Sequence, residues 1–275
     1  MALPPIDMHS LVEALHELAQ RLESAQGVLL QGEALHDYRV ALRRLAAITP
    51  LLHAGIGGVE IMGIIKKELS QSNSLRDQDV LLTYLTRQMP ELVCQASMAQ
   101  SGYQISNKRL HLVINSVVHW LPPVSKLEQS NFAVRYSLLQ LRSWTLLRER
   151  LMQLERLLAG SSSASETVIK SAHRLRIAIK GTRYLLEWQE TFARSALSVW
   201  PELRLWQDKL GYASDRWMIV SWLQQHDWQE HALRMGSELT QWQRQLPEWL
   251  PSLRHGCNYQ LQLSSGTSLS GYFFH

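Results

Sequence analysis

Two stretches of this chain carry one pattern. HDYRVALRR (36–44) and HRLRIAIKGTRY (173–184) share the register His-x-x-Arg-φ-Ala-φ-basic, where φ is apolar. His36 aligns with His173, Arg39 with Arg176, Ala41 with Ala178 and Arg43 with Lys180. A second element follows each copy, SNSLRDQDV (72–80) after the first and LGYASDRW (210–217) after the second, which aligns Asp77 with Asp215. Two ordered matches at one offset, about 137 residues, predict two homologous halves. That period is too long for a solenoid and suits a pseudo-twofold helical bundle.

The halves read as helical. Leu11, Leu15, Leu18 and Leu22 recur at three- and four-residue steps, as do Leu138, Leu141, Trp144 and Leu147. Sustained apolar/polar alternation is missing, and so is any Asn-Gly or Asp-Gly hairpin signal. Breakers fall at HAGIGG (53–58), Pro90, LPP (121–123), GSSSAS (160–165) and Pro201, which leaves about eight to ten helix-length segments. Ser163 to Glu166 reads as a capping box that would start a helix near Ala164. The fold class expected is therefore all-α. After Pro251 the helical period fades, and residues 256–275 are expected to form a weakly ordered tail behind a single domain over 1–255. The first half is expected at about 8–157 and the second at about 164–250.

Composition permits this. With 45% apolar and 19% charged residues in 275, the chain can bury a core and is not of the disordered class. Cys94 and Cys257 have no CxxC spacing, so neither a disulfide framework nor a zinc site is expected. The first residues, MALPPIDMHS, carry no secretion signal, and no apolar run reaches the ~20 residues needed to span a bilayer. A cytoplasmic protein with no membrane partner is the expectation. The formal net charge of +4 permits an anionic partner without demanding one, so the clustering of cations decides.

They are clustered. At about 100° per residue, His36, Arg39 and Arg43 fall within an arc of about 60°, a stripe roughly 10 Å long. Leu35, Tyr38, Leu42 and Leu45 take the neighbouring, core-facing arc. In the second copy His173, Arg176, Lys180 and Arg183 share about 80°. No carboxylate stands between Glu166 and Glu187, and Lys170 and Arg174 add further charge. A solvated helix face usually mixes Glu with Lys. Like charges four residues apart repel by a few tenths of a kcal/mol, roughly, unless an anion neutralises them. Arginine holds two phosphate oxygens in one fork, and histidine adds a donor that titrates near neutrality. The array suits a linear polyanion better than one compact phosphate.

These residues resemble the CHAD family, the conserved histidine α-helical domain. Its hallmark is a His-x-x-Arg-x-x-x-Arg/Lys helix in each half. The family's following element reads like Leu-Gly-x-x-Arg-Asp-x-Asp-Val. Here Arg76, Asp77, Asp79 and Val80 are kept, but Ser72 and Asn73 stand where Leu-Gly is usual. The second-half signature matches Trp206, Gln207, Leu210, Gly211 and Asp215, and the resemblance covers about residues 8–250. It implies two pseudo-symmetric four-helix bundles around a basic central cavity that binds inorganic polyphosphate. By position it implies binding roles for His36, Arg39, Arg43 and Arg44, and for His173, Arg176, Lys180 and Arg183. Lys66, Lys67, Arg135, Arg142 and Lys209 are secondary candidates from other helices. Some CHAD domains follow a triphosphate-hydrolysing CYTH domain. No Glu-x-Glu-x-Lys start occurs here, so non-catalytic binding without metal or cofactor is expected, with association with polyphosphate granules as a further expectation.

Two rival readings share these residues. His16, His36-Asp37 and Asp77 superficially give the H…HD…D order of a metal-dependent phosphohydrolase, yet the second copy has His173-Arg174 and discards the aspartate. Arginines around the stripe would also oppose a dication. Nucleic acid would suit the same cations, but single-strand binding wants interleaved aromatics, and only Tyr38 and Tyr184 lie near. Asp77, Asp79 and Asp215 are expected to cap helices or pair with the basic residues. The tryptophans, Trp200, Trp206, Trp217 and Trp222 among them, are expected in the core. The remaining histidines, His9, His53, His111, His119, His226, His231, His255 and His275, read as incidental.

Overall fold

Asp7 begins the first helix, its carboxylate accepting from the backbone N–H of His9 at 3.0 Å and of Ser10 at 3.3 Å. The computed structural model describes residues 7–25, 29–30, 32–52, 56–93, 96, 103–104, 112–115, 129–160, 165–193 and 201–270. Among the described residues eight long helices follow one another: α1 (Met8–Ser24), α2 (Gly32–Leu52), α3 (Ile56–Gln71), α4 (Asn73–Gln88), α5 (Gln129–Ala159), α6 (Glu166–Ala193), α7 (Pro201–Gln225) and α8 (Gln229–Ser270). Extended structure among the described residues is one antiparallel pairing of Leu29–Leu30 with Tyr103–Gln104. The all-α expectation holds.

The breakers act where the sequence places them, with shifts. Pro201 occupies the first position of α7, where its missing N–H costs nothing. The Gly pair of HAGIGG lies inside α3, and the break falls just before it, between Leu52 and Ile56. The α6 start is later than the Ser163 box predicts: Ser165 Oγ accepts from Val168 N at 3.3 Å, and the helix begins at Glu166. Ser163, Ala164 and the LPP stretch lie outside the described residues.

The chain divides into two compact units. The first takes in Pro4–Arg135 and Glu187–Leu197; the second takes in Tyr136–Leu186 and Ser198–His275, with Met1–Leu3. These bounds differ from sequential halves at 8–157 and 164–250. Helices α5 and α6 have 31 and 28 residues and contribute to both units. At 1.5 Å per residue each runs for roughly 40 Å or more, longer than one small core needs.

In the first unit, α2 packs on α1, α3 and α4. Leu11, Leu15, Leu18 and Leu22 are all buried on α1, as are Leu35, Tyr38, Leu42 and Leu45 on α2, and the two helices pack together. Phe132 and Phe192 meet edge to face at 5.4 Å, and Asp7 N donates to Phe192 O. In the second unit, Trp144, Leu147, Leu151 and Leu154 form the buried face of α5. Leu138 belongs to the predicted period but is exposed; the buried register passes instead through Tyr136, whose hydroxyl donates to Leu185 O at 2.8 Å. The α7–α8 turn uses Asp227 at a positive φ of 63°, a conformation short polar side chains tolerate.

Of the tail expected at 256–275, residues 271–275 lie outside the described residues. Helix α8 continues through residues 256–270 instead of ending near Pro251. Leu246, Leu250, Leu253 and Cys257 are fully or nearly fully buried and spaced by four, three and four residues. That stripe carries the helix past the change in composition. Pro247 and Pro251 lie on its exposed side.

Candidate functional site

The first cationic stripe sits on α2. His36 is exposed, Arg43 is half-buried, and Arg39 is 4% exposed. Arg39 faces the junction of α3 and α4. Its Nη1 donates to Leu69 O at 3.2 Å and to Ser72 Oγ, and its Nη2 donates to Asn73 Oδ1 at 2.7 Å. Leu69 O is one of the last four carbonyls of α3, which lack helical partners, so Arg39 caps that helix with a positive charge. Burial, then the neighbouring Arg43, pulls the Arg39 pKa down to about 10, with Asp77 opposing, so the guanidinium stays charged at neutral pH. Beside it, Tyr38 is buried and its hydroxyl donates to the buried Glu68.

The second stripe sits on α6. His173 Nδ1 and Ser214 Oγ share a hydrogen bond of 3.2 Å. Desolvation, then the charges of Arg176 and Lys180, lowers the His173 pKa, with Asp215 opposing, which keeps the ring neutral at pH 7. Arg176 Nη1 lies 3.7 Å from Asp215 Oδ1 on α7. Its guanidinium packs against Gly211: a Cβ there would stand 2.6 Å from Nη2 and 2.9 Å from Cζ. Arg176 Nε is buried and has no protein hydrogen-bond partner. Lys180 and Arg183 are half-buried further along, and Arg183 Cζ lies 4.7 Å from the Tyr184 ring centroid.

Sequence position thus aligns two arginines that the structure treats differently. Ser72-Asn73 and Leu210-Gly211 are the equivalent pairs in the two copies. In one, side-chain oxygens grip the arginine; in the other, a glycine makes room for it. Both copies place the arginine from the His helix against the second element of its own unit, so the two motifs of each copy form one structural module. A model of the CHAD domain matches residues 13–224, which include both modules.

The chain belongs to the CHAD family.

No curated protein and no solved structure matches it. CHAD domains as a family bind polyphosphate-related ligands.

Not every residue carried over from the family pattern joins a stripe here. Arg44 turns to the other side of α2. Its guanidinium lies 5.7 Å from the Trp188 ring centroid and its Nε 3.9 Å from Glu187, while its backbone carbonyl accepts from Trp188 Nε1 at 2.7 Å. Lys209 Nζ lies 4.3 Å from the Trp249 ring centroid and 5.3 Å from that of Trp206, at the edge of a cavity of about 480 Å3 that Asp208 and Glu238 also line. Lys66 and Lys67 are exposed on α3, and Arg135 and Arg142 are exposed on α5.

Asp215 pairs as expected, and Asp77, within α4, acts electrostatically on Arg39; Asp79 also lies within α4, and the cap position belongs to Ser72. Trp206 is buried; Trp217 and Trp222 are only partly so, and Trp200 lies outside the described residues. His53, His111, His119 and His275 also lie outside them. Ser214 carried no motif of its own. Its place, between the Gly211 and Asp215 that flank the second signature, was the available signal. Among the described residues no group of three or more His, Cys, Asp or Glu side chains converges as a metal site, and no helix is long and apolar enough to cross a membrane.

Proposed function

We propose that this protein binds inorganic polyphosphate, without catalysis, through its two His-x-x-Arg helices. The observation that carries this reading is the second module. His173, Arg176, Lys180 and Arg183 share one helix face, and Asp215 is the carboxylate paired with Arg176 there. Like charges at this spacing repel one another, and an anion that repeats along the row relieves that repulsion. The first module repeats the register, with the exposed His36 and half-buried Arg43 as its binding cations and the buried Arg39 behind them. That both stripes serve one basic central cavity, in two pseudo-symmetric four-helix bundles, is part of the same proposal and rests on family membership and the duplicated motif. A cytoplasmic location beside polyphosphate granules follows from the same reading.

Nucleic acid fits less well. Tyr38 and Tyr184, the aromatics nearest the stripes in sequence, are each only 3% exposed, so neither offers a face for base stacking. The test is titration of the protein with long-chain polyphosphate, single-stranded RNA and heparin over a salt series. Polyphosphate is expected to bind tightest, with affinity falling steeply as salt rises. Equal or tighter RNA binding would overturn the reading, and so would phosphate release from the bound polymer.

A further inference from the structure

We infer that the two aligned arginines have divided the work: Arg176 contacts the polyanion directly, with Asp215 as its built-in competitor, while Arg39 is a positioning residue that touches no ligand. This rests on the proposed function and sharpens it.

The divergence at one dipeptide carries the inference. Arg39 spends Nη1 on Leu69 O and Ser72 Oγ and Nη2 on Asn73 Oδ1, and it is 4% exposed. A guanidinium so committed and so enclosed has little left to offer a phosphate. Its hydrogen-bond acceptors are all neutral, and Asp77 offsets only part of its charge, so a positive field remains behind His36 and Arg43. Its contacts join the end of α3 to the start of α4 and hold both against α2.

Arg176 meets the opposite surroundings. Gly211 supplies no side-chain acceptor, only space, and the guanidinium fills it. The partner at 3.7 Å is Asp215, whose side chain is 40% exposed while that of Arg176 is 19% exposed. An ion pair this long and this wet is weak, and a phosphate can replace the carboxylate. Asp215 therefore holds Arg176 in place when no ligand is bound and competes with the ligand when one arrives.

The experiment is a salt series of long-chain polyphosphate titrations on four variants of the full chain, each paired with thermal unfolding. Arg176→Gln should lose about tenfold or more in affinity, and its slope of log affinity against log salt should shrink by roughly one contact. Asp215→Asn should gain about threefold or more, because the competitor is gone while its shape remains. Arg39→Gln should melt about 5–10 °C lower, yet keep the wild-type salt slope and affinity within about threefold. If that variant does not fold, Asn73→Gly answers instead. Freeing Arg39 by rebuilding the glycine of the other copy should steepen the slope by up to about one contact. Equal slope losses in Arg39→Gln and Arg176→Gln would overturn the division, as would weaker binding by Asp215→Asn or an unchanged slope in Asn73→Gly. Failure of the unmodified protein to bind polyphosphate would instead strike the proposed function.

Discussion

The Nδ1 atom of His173 hydrogen-bonds the Ser214 hydroxyl at 3.2 Å, and this contact places a neutral imidazole at the head of a cationic row. The folded pKa of His173 lies below the ordinary 6.5, through desolvation first and then Arg176 and Lys180, against the opposing pull of Asp215. The unfolded chain therefore binds the proton more readily. The His173 contribution lowers stability as pH falls from about 6.5 through the depressed folded value, and at higher pH that penalty is absent. A bound polyanion reverses the balance by favouring the imidazolium, so polyphosphate affinity should rise over the same acid window. Histidine NMR titration with and without polyphosphate measures both shifts. Loss of the acid-side gain in affinity in His173→Gln would show that this ring carries it, and a pKa unmoved by ligand would exclude it.

Arg44 makes a sharper negative prediction. Its charge is spent on Glu187 and the face of Trp188, at long distances and on a half-exposed surface. Arg44→Gln should leave polyphosphate affinity within about twofold of wild type and cost no more than about 1 kcal/mol of stability. A tenfold loss of affinity, read by the same titration, would return Arg44 to the binding stripe.

The sequence made the modules legible because side-chain period and chain duplication are local properties. The core register of α1 and α2 followed from the spacing of Leu11, Leu15, Leu18 and Leu22 and of Leu35, Tyr38, Leu42 and Leu45. What escaped was set by packing. Arg39 and Arg176 occupy one register position, and only the surroundings separate a buried cap from a half-open cation. Arg44 lies beside Arg43 in sequence but one helical step, about 100°, takes it to another face. Ser72-Asn73 stood out as a departure from Leu-Gly, yet its meaning as a pair of acceptors for Arg39 needed coordinates.

Cys257 reports on the end of α8. Its thiol is fully buried, and burial pushes its pKa up to about 12, so thiolate is scarce at neutral pH. In a Cys94→Ala background the native protein should resist a thiol reagent at pH 8, with labelling appearing only as α8 unfolds. Labelling as fast as a free thiol in the native state would mean that the helix does not pack beyond Leu253.

Gly211→Ala separates the place of Arg176 from its charge. The added methyl would stand 2.6 Å from Nη2, which no real contact tolerates, so something must move. The atoms in the way are the far end of a flexible side chain, and α7 itself gains a better helix former at a cost of nothing in propensity. The guanidinium should swing away, opening the 3.7 Å pairing with Asp215 while the cation remains. Stability should then change by less than about 1.5 kcal/mol, the range expected when one weak ion pair and a local contact are traded for helix propensity. Polyphosphate affinity should fall about fivefold or more with that charge still present, because a phosphate fork depends on placement as well as sign. Thermal unfolding and titration on one preparation read both. Wild-type affinity in Gly211→Ala would show that Arg176 binds from elsewhere, or not at all.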